Sequence, residues 1–322
     1  MKVGITGANG LVGRYICRTL AAADLKAVAL VRNPAGTPIP GSSEARELPT
    51  LGATSPEGFQ AAVAGLDAVV HLAAHVHVMK SAPPPNIFKA VNVDGSLAVF
   101  DAAIAAGAKH FIYMSSVKAA GERSPGGPLT ADDAPAPEDA YGRSKLAAER
   151  ALIERAVNWD GRLVILRPTF VYGWPATGNF KAVIKAVRKG VPLPIKGIEN
   201  RRDMTYAGNL ADAVRAAITA KNVGTGPYFI SDGEPVSTPE LFRRTADAFH
   251  GRARLFPAPV ALLKLTGAVT GRGAMIQRLC ENFEVDIGPF CRDAGWQAPY
   301  KMTDGLAEIS ASAGTDQKWE TA

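Results

Sequence analysis

The chain has 322 residues, enough to bury a large core and form two lobes. It is 47% hydrophobic and 20% charged, with 36 basic against 30 acidic residues. That +6 balance suits an anionic small substrate, and no basic run marks a nucleic-acid partner. Cys17, Cys280 and Cys291 have neither metal-ligand nor pairing spacing, and no signal-like apolar region opens the sequence. Both features predict a metal-free chain in a reducing, cytoplasmic setting.

Lys2–Thr6 reads as a buried first strand and Arg14–Leu20 has helical spacing. Between them lies Gly7-Ala8-Asn9-Gly10-Leu11-Val12-Gly13. A strand, a glycine turn and a helix are what a dinucleotide site requires. Glycines let the backbone approach a pyrophosphate, and the helix N-terminus offers free N–H groups. The spacing is G-x-x-G-x-x-G rather than G-x-G-x-x-G. Val28–Val31 reads as the second strand. No acidic residue stands at its end to bind the ribose hydroxyls of NAD. Arg32 stands there instead, and its forked donors suit a 2′-phosphate. This favours NADP(H), with NAD(H) open if Arg32 only stacks on the adenine.

Further strands are predicted at Ala68–Leu72, His110–Met114, Leu163–Leu166 and Pro227–Ser231. Helices are predicted at Ile87–Ala106, Tyr141–Val157, Phe180–Lys189 and Asn209–Ala220. The alternation predicts an α/β fold, a Rossmann-like doubly wound parallel sheet with a smaller C-terminal substrate-binding lobe. The expected division gives residues 1–168 plus about 204–233 to the sheet domain. Residues from about 169–203 plus 234–310 form the lobe, and 311–322 a polar tail. Pro83-Pro84-Pro85 and Gly121–Pro137 read as loops. Val260–Val269 is too short and too interrupted, by Lys264, to span a bilayer, and reads as a core or lobe-packing helix.

A strand ending in Ser115-Ser116 precedes Tyr141-Gly142-Arg143-Ser144-Lys145 by about 25 residues. Tyr141 and Lys145, four apart, share one face of a helix. By spacing alone such a pair also occurs on solvated helices, and paired serines also cap turns. In this order, behind a glycine loop, they form a constellation. Ser116 would hold a substrate oxygen and Tyr141 would move its proton. Lys145 would bind the nicotinamide ribose and lower the Tyr141 pKa.

The chain resembles the extended short-chain dehydrogenase/reductases. The resemblance rests on Thr6-Gly7-x-x-Gly10-x-x-Gly13, His71-Leu72-Ala73-Ala74, Asn92-Val93-x-Gly95, Ser115-Ser116 and Tyr141-x-x-x-Lys145. Arg167-Pro168-x-x-Val171-Tyr172-Gly173 and Arg202-Asp203-x-x-Tyr206 are similar to the nucleotide-sugar branch. The resemblance implies a catalytic Ser116, Tyr141 and Lys145. It implies a dinucleotide held by Gly7, Asn9, Gly10, Leu11, Val12, Gly13, Arg32, Leu72, Ala73, Ala74, Asn92, Ser115, Tyr141, Lys145 and Pro168. It implies a UDP-sugar met by His77, Ser116, Lys118, Asn179 and Arg202, no metal, and a homodimer through alanine-rich faces (Ala102, Ala103, Ala147, Ala148).

Ser116-Val117-Lys118 replaces the Thr-Asp-Glu of the 4,6-dehydratases, which argues against elimination of water. Phe170 replaces a pattern asparagine, and Asn209 an aspartate. Two reactions at C4 of the sugar remain. The expectation puts first a 4-ketoreductase of the UDP-4-keto-6-deoxy-N-acetylhexosamine type, serving surface polysaccharide, on the strength of Arg32. The alternative is a 4-epimerase, which keeps its cofactor through the cycle. A non-catalytic NADP-binding regulator on the same fold is a third reading, disfavoured by the Tyr141–Lys145 pair.

Overall fold

A computed structural model describes residues 1–36, 38–53, 55–76 and 86–315. The strands are β1 (Lys2–Thr6), β2 (Lys26–Val31), β3 (Ser42–Glu47), β4 (Ala68–His71), β5 (His110–Met114), β6 (Arg162–Pro168), β7 (Phe170–Tyr172), β8 (Met204–Tyr206) and β9 (Gly226–Ile230). Seven of them form one parallel sheet in the order β3-β2-β1-β4-β5-β6-β9. This is the doubly wound order, in which the winding reverses between β1 and β4. β7 and β8 make a separate parallel pair.

The helices are α1 (Leu11–Ala22), α2 (Pro56–Val63), α3 (Gly95–Ala105), α4 (Ala140–Ala156), α5 (Gly178–Arg188), α6 (Ala207–Thr219), α7 (Thr238–Ala248), α8 (Val260–Val269), α9 (Gly273–Cys280), α10 (Gly288–Ala294) and α11 (Met302–Thr315). The central strands are continuous apolar runs because helices cover both sheet faces. On one face Ile5, Ile112, Val164 and Leu166 pack with Ile16 and Leu20 of α1 and Leu210 and Val214 of α6. On the other, Val69, Phe111 and Leu163 pack with Phe59 of α2, Phe100 of α3 and Leu152 of α4. A third core joins Val187 of α5, Ile195 and Ile198 to Phe242 of α7 and Leu263 of α8.

Two expectations need correction. The helix over Ile87–Ala106 contains a π-helical stretch, Lys89–Asp94, before α3 begins. Residues 311–315, expected in the polar tail, belong to α11, which buried Ile309 and Ala313 hold in place to Thr315. Val260–Val269 is helical as expected but packs through one side only, with Leu263 and Gly267 buried and Leu262, Leu265 and Val269 exposed. Val78, Met79, Lys80 and the Pro83-Pro84-Pro85 loop fall outside the described residues, as does His77.

Candidate active site

Two clefts open at the carboxyl ends of the strands. The first, of about 460 Å³, lies where the winding reverses and is lined by Gly7, Asn9, Leu30–Arg32 and Ala73–His75 among others. Gly7 has φ +68°, a conformation glycine adopts without strain. At Gly13 a Cβ would lie 2.5 Å from the Gly7 carbonyl oxygen, so α1 can start against the loop only with glycine there. Thr6 fixes the opposite wall. Its hydroxyl accepts from Leu72 N and Ala73 N, each at 3.0 Å, and meets His71 Nδ1 at 2.9 Å. Burial holds the His71 imidazole neutral, its pKa lowered to about 3. Arg32 is exposed at the rim, where β2 ends without an acidic neighbour. The turn, the close approach and the open amides fit a dinucleotide.

Asn92 occupies the π-helical stretch and is fully buried. Its side chain accepts from His75 N at 2.7 Å and donates to His75 O at 3.0 Å and Ser144 Oγ at 2.9 Å. One widened turn thus ties the loop after β4 to α4, and such π-turns recur at functional sites.

The second cleft, about 450 Å³, holds Ser116, Lys118, Tyr141, Asn179 and Arg202, bordered by Val76, Thr169, Phe170, Arg278 and Phe283. The structure therefore brings together every described substrate residue expected from the sequence. Asp139 caps α4 by accepting from Gly142 N at 2.7 Å. It also pairs with Lys118 Nζ at 2.6 Å, while Lys118 reaches Glu122 at 3.1 Å. Lys118 therefore clamps the Val117–Ala119 turn to the start of α4, and its charge is shared between two carboxylates.

Lys145 is buried and donates to the Met114 carbonyl at 2.8 Å, with its ammonium 4.7 Å from the Tyr113 ring centre and 5.9 Å from that of Tyr141. Burial lowers its pKa to about 7, opposed by the Glu149 charge. Tyr141 differs from the expectation. Burial and the nearby Asp139 carboxylate push its pKa up to about 12, and the Ser116 hydroxyl bond opposes them. The downward pull on the phenol comes from Ser116.

Behind the triad lies a network the sequence reading did not assign. Glu149, one turn after Lys145, is buried and accepts from Ser115 Oγ. Arg167 grips it at 3.0 Å and 2.5 Å. The i, i+4, i+8 spacing of Tyr141, Lys145 and Glu149 was the available signal. Arg202 lies over the Phe283 ring at 5.6 Å and donates to Glu281 O at 3.0 Å, which holds the guanidinium at the cleft wall. Ser115 directly follows β5 and Pro168 ends β6, next to this network.

A doubly wound sheet, a glycine-loop cleft and a Ser-Tyr-Lys constellation define an extended short-chain dehydrogenase/reductase. The chain belongs to the NAD dependent epimerase/dehydratase family, which matches residues 3–230. It is 35% identical over 256 residues, 78% of each chain, to a UDP-glucose 4-epimerase of Vibrio cholerae. In structure it is similar to a UDP-N-acetylglucosamine 4-epimerase from Bacillus cereus, with TM-score 0.78 and 18% identity over 97% of this chain and 99% of that one. A protein described as MoeE5 in complex with UDP-glucose and NAD aligns with TM-score 0.75 and 23% identity over 97% and 98%. Among the described residues no helix is long and apolar enough to cross a membrane, and no cluster of side chains could hold a metal ion.

Proposed function

We propose that the protein carries out oxidation and reduction at C4 of a UDP-sugar, as a 4-epimerase. The observation that carries the reading is that Ser116 and Tyr141 face the same cleft as Asn179 and Arg202. A hydroxyl and a phenol there can hold one sugar oxygen, while Arg202 and Asn179 meet the diphosphate through charge-assisted bonds. The Vibrio cholerae relative supports the choice of epimerisation.

A bound nicotinamide dinucleotide supplies the hydride acceptor and donor. Ser116 Oγ holds the C4 oxygen. Tyr141 takes the C4 hydroxyl proton as the carbon is oxidised, and returns it after the ketosugar has turned over. Lys145 holds the nicotinamide ribose and biases Tyr141 toward the phenolate in the loaded enzyme. Gly7, Asn9, Gly10, Gly13, Ala73, Ala74 and Asn92 form the dinucleotide bed. Residues of about 169–203 and 234–310 form the nucleotide-sugar lobe. Ala102, Ala103 and Ala148 are buried within the chain and Ala147 is exposed, so pairing of two copies along α3 and α4 would use the outer faces of those helices.

The second reading, a 4-ketoreductase acting on a UDP-4-keto-6-deoxy-N-acetylhexosamine, is favoured by Arg32, whose guanidinium suits the 2′-phosphate of NADPH. Incubation with UDP-glucose, UDP-N-acetylglucosamine and the 4-keto-6-deoxy sugar separates the two. Interconversion of 4-epimers without added cofactor is the expected result. Stoichiometric loss of NADPH with the keto sugar alone would replace the first reading by the second.

A further inference from the structure

The α8–α9 hairpin has two apolar sides. One is packed, with Leu263 and Gly267 buried, and a Cβ on Gly267 would stand 2.7 Å from Ile276 of α9. The other faces solvent. Leu262, Leu265 and Val269 are 51%, 61% and 80% exposed and lie at i, i+3 and i+7 on one stripe of α8. Phe256, leading into α8, and Met275 on α9 are exposed as well. An apolar stripe of this kind marks an interaction surface.

The charges carried by this segment itself have one sign. From Ala248 to Cys280 the sequence has five basic residues, Arg252, Arg254, Lys264, Arg272 and Arg278, and no aspartate or glutamate. All five are exposed. Lys264 and Arg278 pair with Glu281 and Glu122 at 3.6 and 3.5 Å, from outside that segment. Arg252, Arg254 and Arg272 have no acidic partner among the described residues.

We propose that this hairpin docks the protein on an anionic bilayer surface. Leu262, Leu265 and Val269 enter the boundary between headgroups and acyl chains, and the three unpaired arginines meet lipid phosphates. At 10 residues α8 is too short to span a bilayer, so contact is interfacial. Charge complementarity favours lipid over a second copy. A two-fold pairing through this stripe would set the same basic residues against themselves. Arg278 of α9 also borders the cleft that holds Ser116 and Tyr141, so the docked face adjoins the cleft mouth.

Co-sedimentation of the full chain tests this, using vesicles of equal parts phosphatidylglycerol and phosphatidylcholine against pure phosphatidylcholine. Binding at least about tenfold stronger on the anionic vesicles is expected, weakening as salt is raised. Leu262→Ser/Leu265→Ser/Val269→Ser should lower it about tenfold with turnover in solution unchanged. Arg252→Ser/Arg254→Ser/Arg272→Ser should abolish the preference for anionic lipid, and it keeps the test decisive if the first variant fails to fold. Equal binding to both vesicles overturns the proposal, as does undiminished binding by both variants. So does a dimer in sedimentation velocity that the apolar variant disrupts, with no vesicle binding by the wild type.

Discussion

Tyr141 sits between opposing influences: burial and Asp139 hold its proton on, and the Ser116 hydroxyl draws the other way. Lys145 carries the opposite cost, since burial pushes an ammonium toward neutrality near pH 7. The sign of the resulting pH dependence follows from linkage. An unfolded lysine keeps its proton to about pH 10.4. Between about 7 and that value the unfolded state therefore binds more protons, and stability rises with pH. Denaturant midpoints of the wild type and Lys145→Met, followed from pH 6 to 10, should shift in favour of the wild type as pH rises. A difference that stays constant with pH would contradict the burial of the charge. Ser116, Tyr141 and Lys145 were legible because their spacing is local. Asp139, Glu149 and Arg167 were not assigned, since their roles depend on which strand end faces which helix turn. The upward push of burial on the Tyr141 pKa is not visible in a five-residue motif.

At the scale of elements, α4 presents the site because it starts in close contact with the turn after β5. A Cβ at Gly142 would stand 2.4 Å from the Lys118 carbonyl oxygen, a contact backbone cannot relieve without moving. Gly142→Ala should cost about 2 kcal/mol, overpacking exceeding the gain in helix propensity, and should lower turnover by displacing Tyr141 from Ser116. Gly314→Ala in α11, where a Cβ meets nothing within 4 Å, should leave both unchanged or slightly raise stability. Equal unfolding midpoints for the two variants would refute the close-contact account. The central strands were readable because parallel strands buried on both faces are unbroken apolar runs. β3, Ser-Ser-Glu-Ala-Arg-Glu at the sheet edge, is largely exposed and carries no such signal. The π-turn that aims Asn92 was hidden because its helical residues look alike whichever carbonyl they bond. The open side of α8 was hidden because an apolar helix does not state how many neighbours it has.

Across the whole molecule, the reversal of winding between β1 and β4 fixes the dinucleotide cleft, and the ends of β5 and β6 with the start of α4 fix the neighbouring one. Segments far apart in the chain meet there: Ser116 follows β5, Asn179 opens α5, and Arg202 is pinned between Val236 and Phe283. On the proposed function, the Tyr141 phenol in this cleft meets a sugar held by its diphosphate at C4. The central claim is that Tyr141 moves the proton while the rest of the site only binds and orients. Tyr141→Phe removes one oxygen and leaves the ring. Turnover on UDP-glucose or UDP-N-acetylglucosamine should fall by about 10²–10⁴-fold, the range for losing a positioned acid–base group. The dissociation constants for nucleotide and UDP-sugar, measured on the same preparation by calorimetry, should stay within about twofold, since that phenol binds neither diphosphate. Turnover within about tenfold of the wild type, with binding intact, would contradict the account.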